Sequence, residues 1–351
     1  MKSYAAIQLE QGQDLVIEQI DIPDPSPTQV IVKLFSTGIC HSQVHQMNDI
    51  TTPRPLAFGH EATGVVTHIG DAVTHLKEGD HCIVTWVTRT PYTGRPDHTP
   101  AGATYKGNTL GCSCGIYTWA NDCIVEEEHV IPIDKNEPTD ISCIVGCAVL
   151  TGAGAVINTA NVKARESVAV FGVGGVGLSA INMASIIGAY PIIAVDLLDE
   201  KLQFAKEFGA THLINSSIDD PIEKVFEIVP KGLDYAFDTV GVKSTTEQIL
   251  PVTRSGGPGA DNLGGVSILV GIPGAELKVD PRLILFHQRT YRGSLGATYP
   301  VKEFPMFLKL FREKKLFLDK LVTKVYSFDE IIDSYKDLDS GKILGRAIVK
   351  F

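Results

Sequence analysis

Three residues far apart in the chain carry groups suited to one borderline metal: Cys40 in TGICHSQVH, His60 in Gly59-His60-Glu61, and Cys147 in GCAVLTGAGAV. Two thiolates and an imidazole suit Zn²⁺ and leave a fourth tetrahedral position for water or a substrate oxygen, the feature that separates a catalytic zinc from a structural one. Taken singly, each has a plainer role. A cysteine is commonly a small buried apolar group, and a histidine beside a glutamate is commonly a surface ion pair. No close-spaced cysteine pair anchors the set, so spacing alone leaves both readings open. A second pattern, Gly172-Val173-Gly174-Gly175-Val176-Gly177, has the G-x-G-x-x-G spacing of a dinucleotide-binding turn, and Asp196 follows nineteen residues after Gly177.

The elements that must hold these groups can be read around them. An apolar run, Val168 to Phe171, meets the glycines; a helical segment runs to Gly188, and a second apolar run ends at Asp196. In strand, turn, helix and strand, Gly172 allows the sharp turn, Gly174 leaves room for a pyrophosphate, and Gly177 lets helix and strand pack closely. A carboxylate at Asp196 suits an adenosine ribose diol and repels the phosphate of NADP, so the predicted cofactor is NAD.

The chain has 351 residues, 44% hydrophobic and 21% charged, which predicts a globular protein of two domains. A net charge of −10 without a basic cluster argues against nucleic acid and anionic membrane as partners. No apolar run has the length of a membrane span and the N-terminus lacks a signal-peptide core, so the expected location is cytoplasmic. Seven cysteines without a secretion signal predict reduced thiols.

From Ala5 to about Ile133 short β-like runs (Val30 to Phe35, Gly64 to Ile69, His81 to Val87) alternate with Pro and Gly turns, as in a small antiparallel barrel or sandwich. A Pro- and Gly-rich insert, between Thr88 and Leu110, reads as a loop or lobe. From Ala148 strands alternate with helices, including Leu198 to Phe208 and Ile222 to Val229, and the strand Gly265 to Gly271 closes this part. A helix over Lys302 to Lys314 and a strand over Arg346 to Phe351 finish the chain.

The GHE segment with Gly64 and Gly70, together with GICHS, GCAVLTGAGAV, FGVGGVG, VGIPG and RTYRGS, resembles the medium-chain dehydrogenase/reductase superfamily, in particular zinc-dependent alcohol dehydrogenases. The likeness spans nearly the whole chain in order. It implies an α/β protein: a β-rich GroES-like catalytic domain over residues 1–148 and 296–351, a doubly wound Rossmann domain over 149–295, and an active site in the cleft between them. It further implies that Cys40, His60 and Cys147 ligate a catalytic zinc, with Glu61 able to approach the metal. Ser42 would take the alcohol proton and pass it by way of the cofactor ribose to His45. His41 and Arg346 would face cofactor phosphates, Gly172, Gly174, Gly175, Val176 and Gly177 the pyrophosphate turn, Asp196 and Lys201 the adenosine ribose, and Thr151 and Val270 the nicotinamide. Trp86 and Trp119 would border the substrate, although a tryptophan is more often a core aromatic.

The implied reaction moves a hydride between NAD and an alcohol, aromatic or medium-length apolar, giving an aldehyde or ketone. Relatives are homodimers or homotetramers. A polyol or sugar dehydrogenase on the same scaffold is the nearest alternative; a non-catalytic NAD-binding redox sensor using Cys112, Cys114 and Cys123 is the other. Many relatives hold a structural zinc on four cysteines, but the corresponding stretch, Val84 to Leu110, contains none, so one zinc per chain is expected. Gln43 stands where the family usually has an aspartate behind the zinc-bound histidine, and an amide donates less electron density.

Overall fold

A computed structural model describes residues 1–90, 101–112 and 115–351. Residues 91–100 of the expected loop or lobe lie outside the described residues, as does Cys114. The chain divides into two compact units: Met1–Cys147 with Tyr299–Arg312 and Leu318–Phe351, and Ala148–Thr298 with Glu313–Phe317.

The first unit is built on two sheets. The smaller orders the strands Leu56–Ala57, Lys2–Gln8, Val16–Asp21, Thr104–Tyr105 and Asn108–Thr109. The larger runs through Val130–Pro132, His81–Thr85, Glu61–Ile69, Gln29–Ile39, Arg346–Lys350 and Val322–Ser327, with Asp122–Glu126 also paired to Gln29–Ile39. Gln29–Ile39 is the axis of this sheet. With neighbours along both edges, it buries eight of its eleven residues, and its β-branched run Val30-Ile31-Val32 suits that position. It is longer than the Val30 to Phe35 run suggests and delivers Cys40 at its end. Register then gathers the chemistry at one end of the sheet: Ala62 pairs with Thr37 and Ala347 with Ile39, so Glu61 and Arg346 both come beside the end of the Cys40 strand.

The second unit holds six parallel strands in the order His212–Asn215, Ile192–Asp196, Val168–Phe171, Tyr235–Asp238, Val266–Leu269 and Thr290–Gly293. This is the 3-2-1-4-5-6 order of a dinucleotide-binding Rossmann sheet, and the order reverses beside Val168–Phe171. All four residues of that strand are buried, as a parallel strand covered on both faces requires. The helix Gly175–Ile187 follows it and ends on Gly188, whose φ of +86° closes the last turn. Helices Asp199–Lys206 and Pro221–Ile228 fall within a residue or two of the expected spans. The short segment Glu313–Phe317 belongs with this unit because Asn182, in the middle of Gly175–Ile187, donates to Lys315 O at 3.2 Å and accepts from Phe317 N at 3.0 Å. Among the described residues, no helix is long and apolar enough to cross a membrane.

Candidate functional site

Cys40, His60 and Cys147 reach one point from three directions. Cys40 closes Gln29–Ile39 and caps the helix His41–Asn48 without using its side chain, which leaves the sulfur free. His60 immediately precedes Glu61–Ile69, and Cys147 ends the 3₁₀ turn Ile141–Gly146. The two sulfurs stand 3.9 Å apart, His60 Nε2 is 3.0 Å from Cys147 Sγ, and the three donor atoms lie within 4.8 Å of one another. Two sulfurs each about 2.3 Å from a tetrahedral zinc are roughly 3.8 Å apart, so the sulfur spacing fits that ion. All three side chains are buried. Its hydrogen bond with Cys147 holds the Cys40 thiol well below its ordinary range against the opposing effect of burial, helped by Arg346 and His60. A thiolate is the form that binds a metal.

The surroundings of this cage differ in part from expectation. Gln43, fully buried, places its amide nitrogen 2.5 Å from His60 Nδ1. Glu61 is wholly buried and its carboxylate pairs with Arg346, itself 4% exposed. Arg346, expected on a cofactor phosphate, is thus engaged inside the first unit, because its strand runs alongside the Cys40 strand. Gly38 is required there: a Cβ at this position would stand 2.3 Å from Glu61 Oε1. Trp119 is corrected from substrate contact to core. It is 0% exposed, packs against Phe58 and Tyr335 at ring separations of 5.9 and 6.4 Å, and donates its indole N–H to Gly38 O. Trp86, just beyond His81–Thr85, is only partly buried, and its indole nitrogen has no hydrogen-bond partner.

On the helix His41–Asn48, Ser42 has a buried hydroxyl with no partner, an orphaned group of the kind that awaits a ligand. His45, three residues on, shares its face and is exposed. Partial burial and the neighbouring His41, 5.6 Å away ring to ring, lower the His45 pKa below its usual value. His41 is itself exposed and lies 3.9 Å from Asp339.

The second unit presents a cradle at the carboxyl ends of its strands. Gly172 has φ of +85°, and a Cβ on Gly177 would stand 2.0 Å from Gly172 O, so turn and helix approach as closely as glycine permits. A Cβ on Gly174 would meet nothing within 4 Å; that open space fits a pyrophosphate beside the free N–H groups that open Gly175–Ile187 at Gly175, Val176 and Gly177. Asp196 ends its strand with one carboxylate oxygen 2.9 Å from Val173 N and the other 3.2 Å from Leu198 N. Lys201 lies on the next helix, Val270 just past Val266–Leu269, and Thr151 on Ala148–Gly154 with a buried, unpartnered hydroxyl.

Sequence reading missed two features of this cradle. Asp238, fully buried, accepts from Val240 N, Gly241 N, Thr245 Oγ1 and Thr246 Oγ1 and so shapes the loop after its strand. Exposed apolar residues, Leu197, Val240, Val242 and Ile272, follow three of the parallel strands at the same end of the sheet. Their position just past a strand was the available signal, since such ends form the ligand crevice of an open α/β sheet.

Residues 26–135 match the alcohol dehydrogenase GroES-like domain, and residues 175–313 match the zinc-binding dehydrogenase family. Benzyl alcohol dehydrogenase from Acinetobacter calcoaceticus is 30% identical, with a TM-score of 0.89 over 100% of this chain and 99% of that one. This chain belongs to the medium-chain dehydrogenase/reductase superfamily. An alcohol dehydrogenase zinc-binding domain protein from Burkholderia ambifaria is 29% identical with a TM-score of 0.89, over 100% of this chain and 99% of that one. For 2R,3R-butanediol dehydrogenase from Bacillus subtilis the values are 27% and 0.79, over 99% of each chain. Within the superfamily the protein is an oxidoreductase of the zinc-dependent alcohol and polyol dehydrogenase family, and its Cys-His-Cys cluster is compatible with a catalytic zinc.

Proposed function

We propose that this dehydrogenase moves a hydride between an alcohol and NAD, giving an aldehyde or ketone, with one zinc per chain. The observation that carries the reading is the buried convergence of Cys40, His60 and Cys147. Bound there, zinc supplies a Lewis acid that lowers the pKa of a substrate hydroxyl, and bound NAD supplies the hydride acceptor.

The chain's own residues manage the proton. Ser42, with an unpartnered hydroxyl, accepts it from the substrate and hands it on towards His45. Because its pKa is lowered, His45 is neutral at pH 7 and free to take the proton and release it to water. Asp196 supports NAD over NADP, since a 2′-phosphate would set further negative charge beside its carboxylate. An apolar alcohol is favoured by Trp86 and by the greater likeness to benzyl alcohol dehydrogenase than to butanediol dehydrogenase. A redox-sensing role is disfavoured, because Cys112 and Cys123 are buried in the core and burial raises the Cys123 thiol well above its usual range.

Metal analysis should find about one zinc per chain. NADH absorbance should rise on adding benzyl alcohol or hexanol with NAD, and much less with NADP. Cys40→Ala and His60→Ala should abolish turnover while NADH still binds. Full activity in either variant would refute the assignment.

A further inference from the structure

The His60 imidazole is engaged on both sides, with Nδ1 2.5 Å from the Gln43 amide nitrogen and Nε2 3.0 Å from Cys147 Sγ. A neutral imidazole has one N–H and one lone pair, so the two contacts must run in opposite senses. With the N–H on Nε2 directed at sulfur, Nδ1 is an acceptor and the amide donates to it. When Nε2 gives its lone pair to a metal, the proton sits on Nδ1, which then requires an acceptor.

A carboxylate offers acceptors alone, whereas an amide turned by half a rotation offers either sense. Turning the Gln43 amide breaks no bond at its oxygen, because Oε1 is buried without a hydrogen-bond partner. We infer that Gln43 is a positioning residue whose amide serves both tautomers of His60, so that the ligand set stays hydrogen-bonded without its ion and releases zinc more readily than a carboxylate at this position would allow. The inference rests on the zinc reading above.

Nitrogen-15 spectra of the histidine rings, with His60 identified by the signals lost in His60→Ala, test it on the full-length protein. The metal-free protein should carry the proton on Nε2, and the zinc-loaded protein on Nδ1. Gln43→Glu should carry it on Nδ1 in both states and release zinc to excess chelator roughly 10- to 100-fold more slowly, the scale of such supporting contacts. Gln43→Met, with neither function, should release it faster than the native protein. A native metal-free protein already protonated on Nδ1, or an unchanged release rate in Gln43→Glu, would overturn the inference. Should Gln43→Glu fail to fold, the native tautomer pair decides alone. Failure of the native protein to take up zinc would overturn the metal reading and this inference together, whereas zinc uptake without a change of tautomer would overturn this inference only.

Discussion

Arg346 and Glu61 meet across 285 positions of sequence and are both shut away from water. A charge in that setting is tolerated because an opposite charge is present, and removing one member of a buried pair is costly. Arg346→Leu is therefore expected to lower unfolding stability by about 3–5 kcal/mol. The double variant Arg346→Leu with Glu61→Leu should recover much of that loss in urea titrations. A single variant within about 0.5 kcal/mol of native would show that water reaches the pair. A separate expectation concerns the relay. Ser42→Ala should lower turnover roughly 10²-fold, the smaller end of what a positioned proton acceptor contributes. Since burial and His41 hold His45 below the usual histidine pKa of about 6.5, alcohol oxidation should stay level as pH falls from 8 through 6.5 and decline only below that. A decline centred above pH 7 would exclude His45 as the acceptor.

The glycine turn shows how an element can be tuned for folding and for binding at separate positions. Gly177→Ala sets a methyl against the Gly172 carbonyl and should destabilise the second unit as well as lose the cofactor. Gly174→Ala meets no protein atom, so its melting temperature should stay near native while NADH affinity, followed by fluorescence titration, falls at least tenfold. Equal NADH binding in Gly174→Ala would place the pyrophosphate elsewhere. This turn was legible because its requirements are local: a positive φ, a missing Cβ and a flanking strand all leave marks within a few residues. The Cys-His-Cys set was legible only by resemblance, since its members are separated by 20 and 87 positions and meet through strand register. Trp119 was misread for the same reason. Its surroundings come from Phe58 and Tyr335, and nothing adjacent in sequence reports that burial. The Arg346 pairing likewise depends on the last strand lying against Gln29–Ile39, which neither segment announces.

For the whole molecule, hydrogen-bonded carboxylates at the acid end of the pH scale and buried thiols and phenols at the alkaline end define one stability window. Among the described residues, the carboxylates that depart from their ordinary range are held below it. Asp49 falls to about 2 through hydrogen bonds from Thr52 and Thr51, Asp14 is held down by Lys336 and Tyr335, and Asp140 by Lys350. At Asp234 burial acts upward and is outweighed by Ser167 and Arg254. These groups take up protons in the unfolded chain, near pH 4, before the folded protein does, so their stabilisation is present above about pH 4 and lost as pH falls towards 2. At the alkaline end the sign reverses. Burial raises Cys143 to about 12, drives Cys82 and Cys123 upward as well, and raises Tyr235 and Tyr291 to about 12. Above about pH 8.5 the unfolded chain releases thiol and then phenol protons that the folded protein keeps, and stability falls as pH rises. Thermal melts across pH 2 to 11 should therefore peak between about pH 6.5 and 8.5. They should fall gently below about pH 6.5, where the unfolded chain protonates His45 and His129 before the fold does because burial lowers both, and more steeply below about pH 4 and above about pH 8.5. A melting temperature that keeps rising beyond pH 9 would mean that the buried thiols and phenols ionise within the fold, and the reading of Cys82, Cys123 and Cys143 as inert core groups would fail with it.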